Sequence, residues 1–457
     1  MSRSSPPLAG IPRPDWRVQF GRRLLLARGR AGLTQQELGA PDLSKSFISL
    51  LESGRSYPSV ETVIALARRI HSSIGALLLD VPALRLETAQ NLVHLAGQMD
   101  LGQQGTEAVK LVEAAQTLLP DMPADLRVRV ALVRARAAMT GGRLDEAAGW
   151  AEEALTQARR HRQATLAGMA LALKGDVVLK QRSFKTALPL LEEATATLQR
   201  TKSARTEENV RALISLGAAR FQLGLTDRAG RAYKRALEVA TRLRLQALRG
   251  KALMGLGLVA RARRQADLAA SLLRQAHEAF AQADHVAEAG QVLSALGLVL
   301  REQGRHQEAL AALEQALQIR ERLASPGDRS ATLDEIALVH LALGRHADAA
   351  RAARRAIREA QAAKDRAREA AAQVTLARVL RAQGRRREAV DLLRGAITAL
   401  MRLGLDQQAK AAAADLGLLL RDAGAQHEAE KYLAMALRKS PAPASGRQAP
   451  ALEELPH

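Results

Sequence analysis

Small and apolar residues return along most of the chain at one long period. Pairs of alanines seven residues apart, two turns of a helix, open at Ala108, Ala147, Ala187, Ala229, Ala269, Ala309, Ala349, Ala389 and Ala429. The intervals are 39, 40 and 42 residues and then 40 throughout. Twelve residues before each of these alanines stands another small residue: Ala96, Ala135, Gly175, Gly217, Gly257, Gly297, Ala337, Ala377 or Gly417. The unit is plainest in GRHQEALAALEQAL (304–317), GRHADAARAARRAI (344–357) and GRRREAVDLLRGAI (384–397). Such spacing predicts a helical hairpin. The small residue on its first helix faces the alanine on its second, so that the axes approach closely, and Gly304, Gly344, Gly384 and Gly424 turn the chain between them. The surrounding Leu, Ile and Val side chains must pack on the next hairpin, because no hairpin buries its own apolar face. Two longer loops between hairpins are expected, at Thr201–Thr206 and at Ser325-Pro326-Gly327.

The first eighty residues follow a different pattern. Between Leu33 and Arg55 the sequence LTQQELGAPDLSKSFISLLESGR predicts two short helices and a tight turn. Thr34 and Glu37 make a capping box, Leu33 and Leu38 give the first helix an apolar side, and Pro41 ends it. Ser44 caps the second helix, Ile48 and Leu51 share its buried face, and Gly54 allows a left-handed exit. Lys45, Ser46 and Ser49 are left on the opposite face near the helix start, as in a helix that pushes its N-terminal end into a DNA major groove. A preceding helix is expected from about Trp16 to Gly29, with Leu24 and Leu25 in contact with the core. A fourth follows Pro58 and buries Val60, Val63, Ile64, Ala67 and Ile70, and a short fifth lies near Ser73 to Leu79. Val81-Pro82 is the expected domain boundary. The predicted organisation is a disordered segment at 1–15, a DNA-binding domain at 16–80, a repeat array at 87–439 and a disordered tail at 440–457.

Composition narrows the functional classes. Alanine and leucine throughout, with 2% aromatics, favour an all-α chain, and 457 residues are too many for one ordinary domain. The net charge of +21 suits a polyanionic or acidic partner, although only +5 of it falls in residues 1–82. There is no cysteine, so no disulfide framework or thiolate metal site is available. No apolar run reaches the roughly 20 residues of a membrane helix, and prolines interrupt the start where a signal peptide needs a continuous apolar core. A cytoplasmic protein is expected. Gly250-Lys251 lacks the rest of a phosphate-binding loop, the ten histidines show no HExxH, and paired carboxylates such as Glu152-Glu153 and Glu207-Glu208 sit on polar helix faces. Neither an enzyme, a cofactor nor a metal is expected.

Phe20 to Leu79 resembles the Cro/repressor-type (XRE-like) helix-turn-helix domain, through FGRRLLLARGRAGLTQQEL and SKSFISLLESGRSYPSVETVIALARRI. The resemblance implies a five-helix domain that grips double-stranded DNA. It implies base contacts from Lys45, Ser46 and Ser49, with Leu50 against a thymine methyl group, and phosphate contacts from Gln35, Ser44, Ser53 and Arg55. The repeat resembles the tetratricopeptide repeat, through its LG…GR-x-x-EA…AL skeleton, and implies an α-solenoid of about nine hairpins. Against that repeat's usual period of about 34 residues, the additional ones are expected to lengthen both helices and loops. First helices line the concave side of such solenoids, which places Arg261, Arg301, Arg378, Arg381 and Arg421 in the groove and implies an acidic ligand. Together the resemblances imply a homodimeric, sequence-specific transcription regulator whose solenoid senses a peptide or protein. The alternative is a protein-binding scaffold that its small domain tethers to DNA.

Overall fold

The computed structural model describes residues 16–78, 81–99, 101–323 and 325–437, so the segments 1–15 and 440–457 expected to be disordered lie outside the described residues. Every regular element described is helical: 23 α-helices and one 3-10 turn, Lys202–Arg205. The chain divides into two compact units, 1–141 and 142–457.

The first unit opens with α1 (Trp16–Arg30), α2 (Gln35–Gly39), α3 (Lys45–Glu52), α4 (Val60–Arg69) and α5 (Ile74–Leu78). Phe20, Leu24, Leu38, Ile48, Leu51, Val63, Leu66, Ala67, Ile70 and Leu77 form their common core. Two apolar positions differ from expectation. Leu25 is 45% exposed, because Phe20 and Leu24 set the buried stripe of α1 and the next residue is turned about 100° away from it. On α4 the buried stripe runs Val63, Leu66, Ala67, Ile70, so Leu66 takes the core place expected for Ile64, which is half-buried. Helices α6 (Val81–Gln98), α7 (Leu101–Leu118) and α8 (Ala124–Thr140) follow, packed around Ala89, Val93, Ala96, Val112, Leu126 and Val130.

The second unit runs α9 (Leu144–Arg160), α10 (Ala164–Lys180), α11 (Phe184–Arg200), α12 (Glu207–Gln222), α13 (Thr226–Arg242), α14 (Gln246–Ala262), α15 (Ala266–Gln282) and α16 (Val286–Glu302). It continues through α17 (His306–Arg322), α18 (Pro326–Ala342), α19 (His346–Ala362), α20 (Arg366–Ala382), α21 (Arg386–Arg402), α22 (Asp406–Asp422) and α23 (Gln426–Leu437). Helices of 17 residues alternate with three-residue turns, which accounts for the period of 40. The residues beyond a shorter repeat have therefore gone into the helices. A longer connection survives at Lys202–Arg205, where the two-residue insertion falls, but Ser325-Pro326-Gly327 is not a loop. Ser325 caps α18 and Pro326 is its first residue, a place where a missing N–H costs nothing.

The alanine pairs are the seam of each hairpin. Ala187, Ala229, Ala269, Ala309, Ala349 and Ala389 are all fully buried. Opposite them the glycines admit larger partners: a Cβ on Gly297 would lie 2.5 Å from Leu313 Cγ. Turns within hairpins are left-handed, with φ of +74° at Gly304 and +71° at Gly344, and Arg182 and Arg264 adopt the same conformation in their repeats at +61° and +59°. First helices of successive hairpins lie against one another, α10 on α12, α12 on α14, α16 on α18, α18 on α20 and α20 on α22. Among the described residues no pair of second helices does so to a comparable extent. The first helices therefore make the inner layer of this unit.

Candidate nucleic-acid interface and solenoid inner face

In the first unit, local capping defines the two helices on which the expected DNA contacts sit. Thr34 Oγ1 accepts from the Glu37 N–H at 3.2 Å, and the Thr34 N–H donates to Glu37 Oε2 at 2.7 Å. The same bonds hold the Glu37 carboxyl below its ordinary pKa, the backbone donor foremost. Ser44 Oγ accepts from the Phe47 N–H at 3.1 Å and starts α3. With Ile48 and Leu51 buried, Lys45, Ser46 and Ser49 face solvent, and Leu50 beside them is 42% exposed. Gly54 leaves the helix at φ +69°, and Arg55, the next residue, is exposed.

Glu52, at the far end of α3, ties the three helices together. Its carboxylate accepts from Arg28 Nε at 2.5 Å and Nη2 at 3.2 Å on α1, and from Gln35 Nε2 at 2.7 Å at the start of α2. Only 5% of the Glu52 side chain is exposed, and the bond to Glu52 raises the Arg28 pKa. Gln35, expected on a phosphate, thus spends one amide hydrogen holding the α2–α3 angle and keeps the other. Ser53 donates to Leu50 O at 3.1 Å, and Ser44 serves as the α3 cap. Arg69 reaches from α4 to Leu38 O, Gly39 O and Asp42 Oδ2, fixing the turn between α2 and α3. Gly21 lets α1 cross the end of α3 so closely that a Cβ there would collide with the Leu51 and Glu52 carbonyl oxygens. Sequence reading passed over Gly21, Arg28 and Glu52. A glycine inside a helix was a signal of close approach for the first, whereas the Arg28–Glu52 pair spans 24 residues and has no local mark.

In the second unit, the arginines expected to wait for an acidic ligand are mostly occupied. Arg261 donates to Glu302 through Nε at 3.0 Å and Nη2 at 2.8 Å. Arg301 Nε donates to Glu335 Oε2 at 3.0 Å, and Arg378 Nε to Asp415 Oδ2 at 2.7 Å. Each bond joins one first helix to the next, so these three guanidiniums link repeats and do not form an open basic ladder. Arg381 and Arg421 are exposed. Two other groups on the same layer have shifted titration. Burial pushes the Lys251 ammonium down, against the opposing pull of Glu288 at 3.9 Å. Burial pushes the Asp334 carboxyl up to about 7, against a hydrogen bond from Thr375 and the charges of Arg378 and Arg301. Among the described residues no helix is long and apolar enough to cross a membrane.

The helix-turn-helix domain model matches residues 19–74, and tetratricopeptide repeat models match 172–243, 248–322, 288–362 and 370–400. The chain is a helix-turn-helix domain of the XRE type followed by tetratricopeptide repeats. No curated protein sequence matches it. Among solved structures it resembles the apo form of the quorum sensor NprR from B. thuringiensis, at 16% identity and TM-score 0.61, covering 78% of this chain and 97% of that one. It also resembles the apo form of RapI, at 13% identity and TM-score 0.59 over 78% and 97% of the two chains. A third is a Rap protein complexed with competence and sporulation factor, at 16% identity and TM-score 0.56 over 78% and 96%. At these identities the likeness is one of fold.

Proposed function

We propose that the chain is a sequence-specific DNA-binding transcription regulator, with a DNA-binding domain at 16–80 and a solenoid at 87–439 that receives a peptide or protein signal. The observation that carries the DNA-binding half is α3: a capped helix seated on Ile48 and Leu51 that offers Lys45, Ser46, Ser49 and Leu50 to solvent as one face. Lys45 suits guanine O6 and N7, and Leu50 suits a thymine methyl group. Arg55, Ser44, Ser53 and the second amide hydrogen of Gln35 flank that face, where they serve phosphates. The signal-receiving half draws support from the solenoid fold, since one fold relative is a quorum sensor and another is complexed with competence and sporulation factor. Two half-sites one helical turn apart are the usual route to specific affinity, so the working form is a homodimer, which sedimentation on and off DNA tests.

Binding of purified variants to a selected operator and to scrambled DNA, across several salt concentrations, tests the DNA reading. Lys45→Ala should cost about 1–3 kcal/mol on the operator alone and relax preference at one base position. Arg55→Ala should weaken both DNAs alike and lower the salt slope by about one. If neither variant changes either affinity while the domain stays folded, the helix is misassigned. A solenoid that only holds a protein partner would leave operator affinity indifferent to its ligand.

A further inference from the structure

Along the inner layer of the second unit, consecutive first helices are joined by a repeated kind of bond, a guanidinium of one helix on a carboxylate of the next. Arg261 of α14 meets Glu302 of α16, Arg301 of α16 meets Glu335 of α18, and Arg378 of α20 meets Asp415 of α22. The row breaks between α18 and α20. Leu341 stands on α18 where Arg261 and Arg301 stand in their helices, eight residues before the seam alanine. The carboxylate is still present: Asp334 hydrogen-bonds Thr375 of α20, which is itself buried. Asp334 Oδ1 is covered from solvent and has no hydrogen-bond partner among the described residues. Arg301 and Arg378 lie near enough to act on its charge, but each donates to another acid. The two arginines and the carboxylates of Glu335 and Asp415 cancel, so ionised Asp334 leaves this part of the layer with one negative charge and one unfilled acceptor.

We propose that Asp334 anchors a positively charged group of the solenoid's ligand, the ammonium or guanidinium of a peptide. The inference rests on the signal-receiving reading of the solenoid and reverses the charge of the ligand that the arginines alone suggest. A cation carrying N–H donors fills Oδ1 and completes the row with the same chemistry as its neighbours. Because the empty carboxyl titrates near 7, engagement by a cation displaces its proton to solvent. Affinity should therefore rise with pH until Asp334 is ionised before the ligand arrives.

The test uses the full-length protein and synthetic random heptapeptides in separate pools. The N-termini are free or acetylated, and Lys and Arg are included or excluded. Bound peptides are recovered by gel filtration and counted by mass spectrometry. Pools carrying a cation should be retained about tenfold over the acetylated pool without Lys or Arg. Comparison of the free-amine and side-chain pools tells an α-amine from a lysine or arginine. Asp334→Asn, which preserves shape, should abolish the excess while the protein still melts as a folded chain at pH 6. Retention of acidic peptides, equal retention of all pools, or an excess that survives in Asp334→Asn overturns the proposal and leaves peptide reception standing. Retention of no peptide at all overturns both.

Discussion

Asp334→Asn should also change how stability depends on pH, whether or not a ligand is present. In the folded chain, burial raises the Asp334 carboxyl from its ordinary 3.8 to about 7, while Thr375, Arg378 and Arg301 pull the other way and Glu335 adds to the rise. The folded state therefore holds a proton that the unfolded chain has released, over the window from about pH 4 to about pH 7. Stability is full below pH 4, is lost as pH rises through that window, and is flat above it. At about 1.4 kcal/mol for each tenfold change, the interval corresponds to a ceiling of about 4 kcal/mol. Asp334 keeps part of its surface in solvent, so screening reduces the expected effect to about 2 kcal/mol. Asparagine has no charge to bury and should remove the slope. Urea denaturation of both proteins at pH 5.5, 7 and 8.5 measures the difference, and hydrogen exchange in α18 and α20 locates it, since a solenoid opens locally. Parallel pH profiles for the two proteins, or a variant less stable than its parent at pH 8.5, would refute the reasoning.

In the first unit, Glu52→Ala should destabilise by about 3 kcal/mol in urea melts, because it leaves Arg28 partly buried without its partner and frees Gln35. Operator affinity should fall with it, as the α2–α3 angle loosens. Gly21→Ala should cost about 1–3 kcal/mol by the same measure, since its methyl group meets the Leu51 and Glu52 carbonyls. In the second unit, Arg264→Gly should gain about 0.5–1 kcal/mol, because an L side chain at φ +59° is strained and its repeat neighbours carry glycine at that turn.

The repeat, the hairpins, their all-helical class and the capping of α2 and α3 follow from the sequence alone. They rest on interactions within one or two helical turns, or on a period that recurs often enough to be read as one. Thr34 caps through Glu37 three residues away, Ser44 through the Phe47 N–H, and Ala309 faces Gly297 across a single turn. The exposed face of α3 was legible for the same reason, as the complement of Ile48 and Leu51 on a short amphipathic helix. Tertiary structure decided what depends on partners far along the chain. Nothing near Glu52 announces Arg28, and nothing near Arg301 announces Glu335, 34 residues on. An arginine counted as free by its repeat position is thereby consumed as a link between helices. Charge is long-ranged and unspecific in sequence, and only the packed layer determines which carboxylate reaches which guanidinium. At Asp334 that same packing leaves a carboxylate without one.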